Sequence, residues 1–228
     1  MMSGELRMRR RAAARSVREM SPETTPRNLA ILVHDDVEVL DFCGPFEAFG
    51  VTGDDGKAHF NVFTVADTSA TVRANTGMLI QPNHSIDDCP PLFMLLIPGG
   101  STKVILENAR LMAWIKEQEP QVEHLVSVCT GAYVLAELGL LDGLEATTHF
   151  SGYDRLQAAA PTAVVRRDVR VCDNGHIVTG AGVSAGIDLA LHMIGRMFGM
   201  EEARAVAHYM MYRWAPEDEA RTEALIAS

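Results

Sequence analysis

From Asn28 onward, short apolar, β-rich runs alternate with stretches of helical spacing. That alternation reads as a parallel sheet covered by helices. "NLAILVH" (28–34), "HFNVFTVAD" (59–67), "LFMLLIPGG" (92–100) and "QVEHLVSVC" (121–129) read as buried strands, the last of them central. Between and after them, "GPFEAFGV" (44–51) starts a helix with Pro45 in its first turn. Further helices are expected over 108–120, 130–143, 153–161, 184–199 and 201–216. Residues 73–91, punctuated by Gly77 and three prolines, form a hairpin or loop excursion, and "EATTHF" (145–150) begins another strand. Asn174-Gly175 marks a two-residue hairpin turn within 164–182.

The 228 residues, 47% of them hydrophobic, suffice for one well-filled core and are too few for two comfortable domains. Residues 28–228 therefore read as a single α/β domain. Residues 1–27 hold seven Arg and three acidic residues, a net +4, and lack core periodicity; they read as a basic, disordered extension. No apolar h-region follows, so an export signal is not expected. With -10 overall, the rest of the chain carries -14, which disfavours nucleic acid or an anionic membrane as partner and favours a small molecule. No run is long enough to span a bilayer. The cysteines at 43, 89, 129 and 172 show neither a CxxC pair nor a Cys/His cluster; free thiols, a reducing cytoplasm and no metal site are expected.

In open α/β sheets, ligands gather beyond the carboxyl ends of the strands. Cys129 ends one strand, Gly99 and Gly100 end another, and Asp41 follows the first. At the junction "LVSVCTGAYV", Cys129 is either a buried packing residue or a nucleophile on a sharp strand-to-helix turn, where helix amides and dipole would lower its pKa. Gly131 and Ala132 supply the small residues such an elbow needs. Asp41, in apolar "VEVLDFCGPF", is either a helix-start cap or a partly buried carboxyl with a raised pKa that exchanges one proton. The amides of Gly99 and Gly100 are candidates for stabilising developing negative charge. "IPGGSTK" lacks phosphate-loop spacing, and no acidic residue follows "GAGVSAG" (180–186) at the place a dinucleotide site requires, so those glycines are assigned to helix–sheet packing. Of the histidines, His149 alone is expected near Cys129, as a supporting hydrogen-bond partner or a catalytic group. Met210, Met211, Tyr212 and Trp214 read as core or dimer contact on the last helix.

"LDFCGPFEAF", "IPGG", "VCTGAYVLAELGLLDGLEATTH" and "VTGAGVSAGIDLAL", in this order, resemble the ThiJ/PfpI superfamily, related to the class I glutamine amidotransferases. The resemblance covers residues 28–216 and implies a flavodoxin-like sandwich, a mostly parallel sheet with helices on both faces. Within the superfamily it points to the isonitrile hydratase branch, which implies catalysis by Cys129, Asp41 and Thr130, the Thr130 hydroxyl orienting Asp41 or water. It further implies no cofactor, a small-molecule substrate and a homodimer. Thr130 stands where the protease branch has His, and Asp41 where the glyoxalase and deglycase branch commonly has Glu. The same domain forms the sensor half of AraC-type regulators; their helix-turn-helix region is not expected in the dozen residues after Pro216. A glyoxalase-like enzyme and a non-catalytic sensor remain the alternatives.

Overall fold

The computed structural model describes residues 25–54 and 57–216. The expectation for the basic extension falls almost wholly outside them. A seven-stranded sheet is built from β1 (Arg27–Leu32), β2 (Phe60–Ala66), β3 (His84–Ser85), β4 (Met94–Ile97), β5 (His124–Val128), β6 (Val171–Asp173) and β7 (Ile177–Gly180). Their order is β6-β7-β5-β4-β1-β2-β3, and every neighbouring pair is parallel except β6 with β7. Helices α1 (Val39–Gly50), α6 (Ala185–Phe198) and α7 (Met200–Tyr209) cover one face. The other face carries α2 (Lys103–Leu106), α3 (Ala109–Gln118), α4 (Ala132–Glu137) and α5 (Tyr153–Ala159). This is the flavodoxin-like α/β architecture.

The continuous apolar runs follow from this two-sided cover. In β1, Leu29 and Ile31 point into the core under α1 and α6, and Ala30 and Leu32 into the opposite core. Alternate residues of β4 divide the same way, Met94 and Leu96 against Leu95 and Ile97. Each large side chain so buried contributes about 1.5–3 kcal/mol.

Several elements depart from the sequence expectations. Helix α1 begins at Val39, so Pro45 lies inside it rather than in its first turn. Proline donates no hydrogen bond to the carbonyl four residues back, yet the helix continues through Pro45, which packs closely on Gly186 of α6. The 145–150 run pairs only at Glu145–Ala146, with Val164–Val165, outside the main sheet. Beyond it, Thr147 N–H donates to the side chain of Thr179 at 2.9 Å, which ends the ladder. In the β6–β7 hairpin Asn174 N–H bonds Ile177 O at 3.0 Å, so the two turn residues are Gly175, with φ 86, and His176. The last helix stops at Tyr209. Met211, at φ 51 and 94% exposed, reverses the chain, and Tyr212 and Trp214 fold back onto the core beside α6. All four cysteines are free. No helix among the described residues is long and apolar enough to cross a membrane.

Candidate active site

Three strand ends converge. Strand β5 ends at Val128 in extended conformation, and the chain turns at Cys129 with φ 56, a left-handed value uncommon for a residue with a Cβ. A short 3-10 turn, Cys129–Gly131, then leads into α4. Two bonds hold the elbow: Cys129 N–H donates to Ala181 O at 2.8 Å, and Thr148 Oγ1 donates to Cys129 O at 2.7 Å. A Cβ on Gly131 would lie 2.2 Å from Ile97 O, so a turn this tight admits no side chain there. Strain of this kind costs of order 1–3 kcal/mol and persists where surrounding contacts over-determine the backbone.

Asp41, in the first turn of α1, is completely buried and makes no capping bond. Its Oδ2 accepts Gly99 N–H at 2.9 Å, and its Oδ1 makes no well-formed hydrogen bond. Burial dominates its titration and raises the pKa from 3.8 to about 7, against the Gly99 amide, the Cys129 thiol and the Val183 amide, which pull it down. Cys129, 6% exposed, shows the opposite of the lowered pKa expected at a helix start. Burial first, then the Asp41 charge, push the thiol up to about 12, against the amides of Thr130 and Val183. Desolvation and a neighbouring anion outweigh the dipole of a helix only six residues long. Above about pH 7 the pair therefore holds one proton, on sulfur, and below it the carboxyl is protonated as well.

The two glycine amides are not open to a ligand as expected. Gly99 N–H is taken by Asp41, and Gly100 N–H donates to Thr130 Oγ1 at 3.1 Å. The Thr130 hydroxyl in turn donates to Gly100 O at 3.0 Å, so it clamps the 99–100 turn and does not bond Asp41 directly. His149 hydrogen-bonds Ser151 Oγ at 2.8 Å and packs against Gly182. Its neighbour Thr148 is the residue that bonds the elbow. Val183, at φ 50 in the loop before α6, makes no well-formed hydrogen bond to the pair, but its amide dipole favours the charged form of both groups. Gly180 and Gly186 pack against Leu189 and Pro45, as expected for glycines at a helix contact. Among the described residues no three His, Cys, Asp or Glu side chains converge as a metal site.

Gly99 sits in the middle of this arrangement. A Cβ there would lie 2.7 Å from Asp41 Oδ2, Thr130 N and Thr130 Oγ1 at once. Gly99→Ala should therefore displace the carboxyl from its amide and lower activity on any substrate of the site by roughly 10²-fold, in line with a small misplacement of reacting groups. Wild-type kcat/KM in the purified variant would show that the close approach does not matter.

A family model described as the DJ-1/PfpI family matches residues 27–196. The chain is 32% identical over 189 residues to an isonitrile hydratase of Pseudomonas putida, a match covering 82% of this chain and 79% of that one. It is 25% identical over 188 residues to the HTH-type transcriptional regulator GbdR of Pseudomonas aeruginosa, spanning 82% of this chain and 51% of the regulator. A crystal structure of a ThiJ/PfpI family protein from Pseudomonas syringae superposes with a TM-score of 0.76 at 27% identity, covering 92% of this chain and 87% of that one.

Proposed function

Because the chain belongs to the DJ-1/PfpI family, we propose that it is an isonitrile hydratase-like enzyme, adding water to R–N≡C to give an N-substituted formamide. The supporting observation is the buried pair at the strand-to-helix elbow, a carboxyl with its pKa near neutrality beside a thiol that keeps its proton. The terminal carbon of an isonitrile has to gain both a proton and a nucleophile, and this pair supplies one of each. Asp41, as carboxylate, takes the thiol proton and delivers it to that carbon while sulfur bonds to it, giving the thioimidate R–N=CH–S–Cys129. Asp41, again a carboxylate, then removes a proton from water as its oxygen adds to the same carbon and passes that proton to nitrogen, giving R–NH–CH(OH)–S–Cys129. Collapse expels the Cys129 thiolate, which regains its proton from the hydroxyl of the adduct, and releases R–NH–CHO. Thr130 acts at one remove, by fixing the turn whose Gly99 amide holds Asp41.

The test is a substrate panel on the purified protein with no added cofactor. An alkyl isonitrile such as cyclohexyl isocyanide should be converted to its formamide. Asp41 accepts the thiol proton only as a carboxylate, so kcat/KM should fall as pH drops through about 7 and level off above it. That inflection belongs to the pair rather than to either residue. Consumption of methylglyoxal with isonitriles untouched would replace this reading with a glyoxalase-like one. A second reading, a small-molecule sensor domain, draws on the regulator relative and would win if nothing turned over but a ligand raised Tm.

A further inference from the structure

The turn that presents Cys129 is fixed by groups far from it in sequence. On one side the Cys129 N–H is pinned to Ala181 O at 2.8 Å, and on the other the Thr148 hydroxyl donates to Cys129 O at 2.7 Å. Rotation about the N–Cα bond relates a residue's N–H to its carbonyl, so anchors at both ends hold Cys129 at φ 56. Ala132 N–H also bonds that carbonyl, but from within the same short turn, and would follow it wherever it moved. Thr148 comes from a separate segment and ties the carbonyl to the body of the protein.

Thr148 is itself held in place. Directly before it, Thr147 N–H donates to Thr179 Oγ1 at 2.9 Å. Thr179 lies in β7, in register with Ser127 of β5, two residues ahead of Cys129. The contacts therefore close on themselves: β7 beside β5 carries Thr179, Thr179 sets the 147–148 segment, and that segment sets the turn at the end of β5. Thr147, Thr148 and Thr179 are fully buried, where hydrogen bonds are electrostatically stronger than in water.

The direction of the sulfur follows from this backbone. Gly99 brings the Asp41 carboxyl to the turn, since a Cβ on Gly99 would lie 2.7 Å from both Asp41 Oδ2 and Thr130 N. Were Cys129 to relax to the negative φ that a residue with a Cβ prefers, its Cβ would turn about the N–Cα bond and carry the sulfur off Asp41.

We propose that Thr148 is a positioning residue whose hydroxyl holds the Cys129 backbone in the conformation that brings its sulfur to Asp41. The inference rests on the reading of that pair as the reacting groups, but not on the identity of the substrate. Glu38, at the start of α1, is the other charged group acting on Asp41, and it takes no part in this bracing.

Thr148→Ala and Thr148→Ser differ by that one hydroxyl. The readout is the rate of Cys129 alkylation by iodoacetamide against pH in the full chain, followed by mass spectrometry, which needs no isonitrile. In the wild type and Thr148→Ser the rate should inflect near pH 7, where Asp41 becomes the carboxylate that takes the thiol proton. In Thr148→Ala that inflection should disappear, with alkylation at pH 8 about tenfold slower, the scale of one lost hydrogen bond. Ala132 N–H still bonds Cys129 O, so the alanine variant leaves no buried carbonyl unpaired there. Should it nonetheless not fold, Thr148→Val is read in the same way. A wild-type inflection in Thr148→Ala, even with a lowered Tm, would overturn the proposal and show the hydroxyl to be structural only. A serine variant that behaves like the alanine one would overturn it too, since packing of the methyl group would then set the turn. Loss of the inflection in Thr148→Ala alone, in a protein inert toward isonitriles, would support the positioning role and refute the hydratase reading. No inflection in the wild type would overturn the reading of the pair and this inference with it.

Discussion

Cys129→Ala should lower isonitrile turnover at least ~10³-fold, the scale seen when a nucleophile is removed from a covalent mechanism, and leave the fold intact. The alanine keeps the Cβ and backbone bonds of the elbow: Cys129 N–H to Ala181 O and Thr148 Oγ1 to Cys129 O do not involve sulfur. Far-ultraviolet circular dichroism and Tm should therefore stay close to the wild type. Cys89→Ala and Cys172→Ala should leave turnover nearly unchanged, since Cys89 lies in the segment before β4 and Cys172 in the edge strand β6, and neither thiol acts on the titration of Asp41 as Cys129 does. Full activity in Cys129→Ala would end the covalent mechanism.

Asp41→Asn should be inactive and, above neutral pH, more stable. An amide neither takes the thiol proton nor activates water. The stability effect has a definite sign. A carboxyl whose pKa rises from 3.8 unfolded to about 7 folded favours the folded state below the lower value and loses that contribution as pH rises through the upper one. The difference corresponds to roughly 4 kcal/mol of destabilisation carried at pH 8, an upper bound because the new amide NH2 is itself buried where Oδ1 has no partner. Asn can still accept the Gly99 N–H, so the main polar contact survives. Thermal melts should show Asp41→Asn above the wild type at pH 8, with the gap closing toward pH 4. A variant less stable than the wild type at pH 8 would show that the buried carboxylate is compensated by contacts other than those described.

The sequence made the architecture legible because parallel strands buried on both faces leave continuous apolar runs such as "LFMLLI", and crossover helices restore a helical period between them. Cys129 could be picked out because it interrupts an apolar run at the carboxyl end of a strand, and Asp41 because it stands as a lone carboxylate in the apolar start of the helix that follows the first strand. Their protonation could not, because the sign depends on how the dipole of a six-residue helix compares with full burial and an adjacent anion, quantities set by contacts 58 to 88 residues apart or more. The partners of Thr130 were hidden for the same reason: its hydroxyl finds a main-chain turn thirty positions away, which leaves no mark on residue type. Val183 contributes through its amide, and an amide has no sequence signature at all. The end of α7 was overrun because "HYMMYRW" keeps helical composition past Tyr209.

The sheet's two borders carry a consequence for self-association. One is β3, with two residues, and the other is β6, with three, antiparallel to its neighbour. Neither offers the row of unpaired main-chain donors and acceptors that lets a strand recruit another chain. Among the described residues, joining sheets edge to edge into a continuous intermolecular β-structure is thereby blocked. Two copies of this chain would have to meet through helices and loops, leaving the strand ends around Cys129 to whatever those surfaces cover or expose.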